Sequence, residues 1–249
     1  MAAGSTALFV QLAWLGAAWV GYFALHSALA SLALKRAVAA RCPSWMPAYR
    51  LAFNALALVL AVPLLWWTLT AGGPVMWRWT GAWSWVADVL TAAAAAGFVA
   101  SLRDYDGSEF LGTRQWHARE TRVEDQERLR LSPLHRHVRH PWYALGLVIL
   151  WTRDMDAARL LVASLATGYV FVGLYLEERK LIALHGDAYR EYRRRVPPLL
   201  PLPWRRLGGE EAAALERRAE AARGAGGGGH PGATAGVSKG QRDGTAPGP

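Results

Sequence analysis

The sequence is poor in cysteine and, over long stretches, free of charge. Its one cysteine, Cys42, excludes an intramolecular disulfide, and without a C-x-x-C pair it offers no thiol metal site. Aspartate, glutamate, lysine and arginine are all absent from 7–34, 51–77 and 160–176, and 79–102 contains Asp88 alone. A soluble domain does not collect its apolar residues in blocks of this length. The missing charges therefore predict several membrane spans.

The lengths of the apolar blocks predict an all-α, multi-pass membrane bundle. Residues 8–34 rise about 1.5 Å each, which is enough to cross a hydrocarbon layer of about 30 Å. We expect two further spans over 51–69, with a kink at Pro63, and over 83–102. Together with a C-terminal hairpin, these segments give about five membrane helices.

The hairpin is predicted because one apolar stretch is too short to span alone. Residues 141–152 carry no charge but number only about a dozen, and a polar turn separates them from 157–178. We therefore expect two helical arms whose outer ends return to the same membrane face.

The net charge of +9 belongs entirely to residues 1–206, because five basic and five acidic residues balance in 207–249. Lysine and arginine are concentrated in alternate connections, at 35–50, 103–141 and 177–206. The positive-inside rule places these connections in the cytoplasm and the N-terminus outside, in a bacterial inner membrane. A basic surface of this kind indicates contact with the lipid bilayer, and we expect no nucleic-acid partner.

The segment 207–249 differs from the membrane body. It has no aromatic residue and twelve glycines, including Gly226 to Gly229. Such a composition favours disorder, so we expect a disordered Gly/Ala-rich tail that buries no core, with at most a helical segment over 210–223.

Two groups of charged residues frame the predicted hairpin. Arg139 and His140 precede its first arm, and Glu177 and Glu178 lie at the end of its second arm. If the arms are antiparallel, the four side chains lie at one membrane level and face one another. From spacing alone, an ion pair that closes the hairpin and a binding site account for them equally well.

The stretch around these residues resembles a known family. The sequence reads Arg139-His140-Pro141-x-Tyr143, then Glu177-Glu178-x-x-Leu181, His185-Gly186, Tyr189-x-x-Tyr192 and Val196-Pro197. This pattern is similar to the C-terminal region of the membrane isoprenylcysteine carboxyl methyltransferases, and phospholipid N-methyltransferases share much of it. The resemblance covers about 133–201 and implies a site for S-adenosylmethionine without a Rossmann fold. The missing G-x-G-x-x-G motif therefore does not exclude methyl transfer.

The resemblance also implies roles for individual residues. Arg139, His140 and Glu178 are the expected catalytic residues, and no metal site is expected. The domain is expected to cover 1–206, with its cofactor half over about 103–206. The expected cofactor-binding residues are His137, Arg139, His140, Pro141, Tyr143, Glu177, Glu178, Tyr189 and Tyr192. Arg193, Arg194 and Arg195 are expected to contact lipid headgroups.

The sequence departs from the family pattern next to the Arg-His-Pro element. Pro133 and His135 replace a Gly-x-Tyr pair, and Leu145 stands where family members carry glycine. The loop that leads into the site is therefore remodelled. The acceptor, which stays open, is a lipophilic or small molecule that offers a carboxylate, thiol or amine.

Two other functions stay open from the sequence. An NADPH-dependent membrane reductase of the sterol-reductase kind also uses an Arg-His-Pro-like element, and a non-catalytic accessory or transport protein could hold the same charges for structure. No obligate protein partner is evident in the sequence. His26 lies inside the first span and is a secondary functional candidate, because intramembrane histidines are costly to bury.

Overall fold

The computed structural model describes residues 2–104, 106–121 and 128–226. Within these ranges the chain is helical, apart from loops, two 3-10 turns and one short pair of strands. The helices are α1 (Ala2–Ala30), α2 (Leu32–Arg41), α3 (Met46–Ala71), α4 (Ala82–Ser101), α5 (Gly107–Leu111), α6 (Thr113–Ala118), α7 (Pro141–Trp151), α8 (Ala157–Arg195) and α9 (Gly209–Gly226), and the strands are β1 (Val75–Trp77) and β2 (Met155–Asp156).

Among the described residues, four helices, α1, α3, α4 and α8, are long and apolar enough to cross a membrane, and α7 is a shorter apolar helix. Large apolar side chains such as Val59 and Trp66 lie on the outside of the bundle. In water such a surface would be strongly unfavourable, whereas lipid chains solvate it. The protein is an integral membrane protein, and the predicted all-α bundle is confirmed.

The first predicted span, 8–34, is interrupted near its end. Helix α1 stops at Ala30, and Ser31 adopts an extended backbone conformation at the start of α2. The Ser31 hydroxyl oxygen accepts a hydrogen bond from the Leu34 amide at 3.3 Å. A serine N-cap of this kind starts a new helix, which is why one apolar block becomes two helices.

Helix α3 is longer than the predicted 51–69. It begins at Met46, where Pro47 occupies its first turn, and it continues through Pro63 to Ala71. Proline suits the first turn of a helix because the amide it lacks would have no partner there. The kink at Pro63 stays a prediction.

The predicted hairpin is confirmed. Helix α7 ends at the turn that leads to α8, and the Asp156 carboxylate caps α8 by accepting a hydrogen bond from the Arg159 amide at 2.9 Å. Strand β2 in this turn pairs antiparallel with β1 from the connection between α3 and α4. The two short strands tie the hairpin turn to this connection.

Helix α8 reverses direction at Gly186, where the backbone has φ 53° and ψ −128°. This conformation is accessible to glycine and strained for residues with a Cβ atom. It divides α8 into a first arm, 157–185, and a return arm, 187–195. In a straight helix Glu178 and Arg193 would lie about 22 Å apart, but here Arg193 Nε is 3.6 Å from a carboxylate oxygen of Glu178.

Helix α9 packs against the return arm, whereas the sequence predicts disorder after residue 206. Ala212 and Leu215 are buried in one cluster with Tyr189, Tyr192 and Val196 of the preceding segment. The small apolar face of α9 is buried because the return arm presents an apolar face to it. The predicted helical segment 210–223 lies inside α9, and the prediction for 227–249 falls outside the described residues.

Candidate active site

The site lies where the start of α7 meets the middle of α8 and the end of the return arm. Two backbone hydrogen bonds hold these parts together: the Arg139 amide donates to the Pro197 carbonyl at 2.9 Å, and the His140 amide donates to the Pro198 carbonyl at 3.0 Å. The Val196-Pro197 element of the sequence pattern thus fixes the Arg-His-Pro element.

Arg139, His140, Glu177 and Glu178 form one group, here called the charged cluster. Arg139 donates from Nε and Nη2 to the same oxygen of Glu178, Oε1, at 2.7 and 2.5 Å. Its Nη1 donates to the backbone carbonyls of Arg193, at 2.9 Å, and Val196. Arginine has five N–H groups, so four are already engaged with neighbours in the chain. Arg139 therefore positions Glu178 and the return arm, and it has little capacity left for a ligand.

His140 is buried between the two carboxylates. Its Nε2 lies 3.3 Å from Glu178 Oε1, and its Nδ1 lies 3.4 Å from Glu177 Oε2. Burial lowers the pKa of His140, but its hydrogen bonds and attraction to both glutamates outweigh burial, so the pKa is raised above its ordinary value. Only the imidazolium form donates from both nitrogens, which matches two carboxylate partners.

Tyr143, one turn into α7, extends the cluster towards the membrane interior. Its ring stacks on the His140 ring with the centroids 5.5 Å apart. Its hydroxyl interacts electrostatically with the Glu177 carboxylate. Three of the predicted site residues, His140, Tyr143 and Glu177, are thereby held in one contact network.

Some polar groups of the site remain accessible. The Glu177 side chain is 44% exposed, whereas the Glu178 side chain is only 9% exposed. Arg139 and His140 both contact Glu178 Oε1, which leaves Oε2 facing the Arg193 guanidinium at 3.6 Å. Arg193 is itself 50% exposed. The sequence assigned Arg193 to lipid headgroups, and only the reversal at Gly186 reveals its place beside Glu178.

Not every predicted residue joins the charged cluster. His137 is exposed, and its Nδ1 contacts the Pro133 carbonyl in its own turn at 3.0 Å. Tyr192 is buried and donates its hydroxyl to the His135 carbonyl at 2.6 Å. Tyr189 is 1% exposed and lies in the apolar cluster of the return arm, beneath the charged groups.

Pro141 begins α7, where it is buried in the first turn and orients the helix. It therefore contributes to the site through the direction of the backbone. The two tyrosines of the return arm likewise support the site, since their side chains pack beneath it.

A cavity of about 610 Å³ lies at the opposite end of the bundle. Its lining includes Asp88, Thr152 and Arg153, near the strands and the hairpin turn. The length of α7, about 16 Å, separates this cavity from the charged cluster. The two features therefore lie at opposite ends of α7.

Comparison with known proteins relates the chain to one group of enzymes. Methanethiol S-methyltransferase 2 of Bradyrhizobium diazoefficiens is 34% identical over 182 residues, which cover 71% of this chain and 68% of the relative. Methanethiol S-methyltransferase 1 of the same organism is 48% identical over 80 residues, 32% of this chain and 27% of the relative. The methanethiol S-methyltransferase of Mycobacterium tuberculosis is 52% identical over 73 residues, 29% of this chain and 30% of the relative.

The matches to methanethiol S-methyltransferase 1 and to the mycobacterial relative thus span less than a third of either protein. No family model matches the chain. No solved structure matches it either.

The fold and the site define a polytopic helical membrane protein with a buried ionic cluster at one end of a helical hairpin. The chain belongs to the family of its methanethiol S-methyltransferase relatives, the isoprenylcysteine carboxyl methyltransferase-like membrane proteins. The family resemblance identified from the sequence is confirmed.

Proposed function

We propose that this protein transfers a methyl group from S-adenosylmethionine to a small thiol at the charged cluster, which yields a methyl thioether, S-adenosylhomocysteine and the proton released by the thiol. The observation that carries the proposal is the unequal use of the two Glu178 oxygens. Arg139 and His140 contact Oε1, while Oε2 faces the half-exposed Arg193 at 3.6 Å, and the Glu177 side chain is 44% exposed. A site that served only to close the hairpin would have no need of these additional charged groups.

The available groups match the chemistry of S-adenosylmethionine. The molecule carries an ammonium and ribose hydroxyls, which carboxylates bind, and a carboxylate, which a guanidinium binds. Glu177 and Glu178 Oε2 would hold the amino group or the ribose, and Arg193 would pair with the carboxylate. When bound, S-adenosylmethionine supplies a methyl group that is already activated on a sulfonium.

The chain's own residues then have to orient and desolvate the reactants. Arg139 fixes Glu178, and His140 as an imidazolium offsets the charge of both glutamates, so neither carboxylate needs to reorganise on binding. Tyr143 covers the cluster on the side of the membrane interior. Its ring would exclude water from the acceptor side of the site.

The acceptor is proposed to be a thiol because the relatives are named for methanethiol. A thiol of this size is neutral and apolar enough to enter from the lipid bilayer. We propose no protein or nucleic-acid partner for the reaction. The arginine-rich connections favour a cytoplasmic location of the charged cluster and an outer N-terminus in a bacterial inner membrane.

The test is a methyl-transfer assay with the purified full chain in lipid nanodiscs. Labelled S-adenosylmethionine is offered with methanethiol, a small carboxylic acid or a small amine, and the labelled product is quantified. We expect labelled dimethyl sulfide with methanethiol and none with the other two acceptors. Transfer to the acid or amine alone would reassign the acceptor, and NADPH binding without methyl transfer would favour a reductase.

A matched pair of variants separates the binding groups from the fold. Glu177→Gln removes a half-exposed ligand group, and Glu191→Gln removes a carboxylate that pairs with Arg194 on the return arm. We expect the first variant to lose transfer and the second to keep it.

A further inference from the structure

A second polar site lies inside the membrane, around His26 of α1. The His26 Nδ1 atom is buried, and it neither accepts nor donates a hydrogen bond within the described part of the chain. The residue as a whole is half-buried. A buried ring nitrogen without a partner is costly in a low-dielectric surrounding, so a bound partner would stabilise it.

The surroundings of His26 are aromatic. Its ring centroid lies 4.9 Å from that of Phe53 in α3, 5.9 Å from that of Tyr22 and 6.5 Å from that of Tyr169 in α8. The Ser27 hydroxyl lies 3.0 Å from the Tyr169 hydroxyl. We call these residues the His26 cluster: Tyr22, His26, Ser27, Phe53 and Tyr169.

The His26 cluster is connected to the charged cluster along one face of α8. Tyr169, Gly173 and Glu177 are spaced four residues apart, so they lie one above another over about 12 Å. The Tyr143 hydroxyl lies against Gly173, 3.5 Å from the position that a Cβ atom would take there. The Tyr143 ring also stacks on that of His140 with the centroids 5.5 Å apart, so Tyr143 lies between the two clusters.

We propose that the His26 cluster binds the thiol acceptor, with Nδ1 accepting a hydrogen bond from the S–H group. This inference rests on the proposed function and deepens it. Sulfur makes favourable contacts with aromatic rings, which surround His26 on three sides. In the tautomer with its proton on Nε2, the imidazole offers the acceptor that a thiol needs.

The same surroundings disfavour the other acceptor classes. The described neighbours of His26 are aromatic rings and hydroxyl groups, which do not neutralise a carboxylate or an ammonium ion. A charged acceptor would therefore be buried without a counter-ion, at a large desolvation cost. A neutral thiol avoids this cost, and it can reach His26 from the hydrocarbon because the residue is half-buried.

The test measures binding without any methyl donor. Trifluoroethanethiol is titrated into the full chain in nanodiscs and followed by fluorine NMR, with its methyl thioether as the matched ligand that lacks the S–H group. His26→Phe keeps a ring but removes the acceptor. Thr68→Val is the control, because it removes another intramembrane polar group, the acceptor of the Trp19 indole N–H at 2.9 Å.

We expect saturable thiol binding to the wild type and to Thr68→Val, and a loss of at least about tenfold in affinity for His26→Phe. The thioether should bind all three proteins with one affinity. Equal thiol binding by His26→Phe and the wild type would overturn the inference, as would the absence of saturable binding to the wild type. Because no donor is present, these outcomes are independent of whether the protein transfers methyl groups.

Discussion

Arg139 and Glu178 lie 39 positions apart in the chain, yet two nitrogens of the arginine contact one and the same oxygen of the glutamate, at 2.7 and 2.5 Å. Both side chains are less than a tenth exposed. Arg139 therefore positions Glu178, whose second oxygen faces Arg193 at 3.6 Å. The two residues, both predicted to act on the reactants, therefore have different roles.

Loss of Arg139 should primarily affect stability. Arg139→Ala leaves the Glu178 carboxylate buried without its main partner, which typically costs about 3–5 kcal/mol. We expect a lower midpoint of thermal unfolding in detergent, as monitored by size-exclusion chromatography after heating. The double variant Arg139→Ala/Glu178→Ala should recover part of this loss. A single variant as stable as the wild type would contradict the positioning role.

Stability should depend on the protonation of His140. Because the folded-state pKa of His140 is raised, its contribution is fully present below the unfolded value of about 6.5 and is lost as the pH rises through the folded value. We expect the unfolding midpoint to fall, through this group, as the pH rises above about 6.5. His140→Gln should flatten this part of the profile, and an unchanged profile in the variant would assign the dependence to other groups.

The reversal at Gly186 should tolerate no side chain. Its φ of 53° makes Gly186→Ala strained by about 1–3 kcal/mol, although the added Cβ atom meets no neighbour within 4 Å. We expect lower stability, measured by thermal unfolding. Gly168→Ala is the matched control in the first arm, because Gly168 has ordinary helical geometry and equally open space. That substitution should be neutral or stabilising, and equal effects at both positions would contradict the account of the turn.

Helix α9 should contribute to stability. Leu215 is 4% exposed in the cluster formed with the return arm, so Leu215→Ala should cost about 2–5 kcal/mol. Arg217→Ala, at an exposed position of the same helix, should change little. Deletion from residue 207 onward should also destabilise the site, and a deletion variant with wild-type unfolding would show that α9 is dispensable.

The sequence predicted the membrane bundle and the hairpin because charge-free blocks of defined length leave few alternatives. The contact of Arg139 and His140 with Glu177 and Glu178 followed directly from an antiparallel hairpin. A cytoplasmic helix over 179–195 was expected, but the reversal at Gly186 was not, since these residues have the composition of one continuous helix. The place of Arg193 beside Glu178 was not predicted for the same reason.

The packing of helix α9 was missed for a different physical reason, although its helical segment 210–223 was expected. Its apolar face consists of alanines and Leu215, so its average hydrophobicity resembles that of a disordered segment. This face is buried only because Tyr189 and Tyr192 of the return arm pack against it. Such a match between two weak faces depends on tertiary structure and is not visible in composition.

The most direct test of the account is calorimetric titration of the full chain with S-adenosylhomocysteine, compared with NADPH. We predict saturable binding of S-adenosylhomocysteine to the wild type, a loss of at least about tenfold in affinity for Glu177→Gln with unchanged thermal unfolding, and no binding of NADPH. Binding of NADPH alone, or equal affinity of the wild type and a folded Glu177→Gln, would contradict a methyl-donor site at the charged cluster.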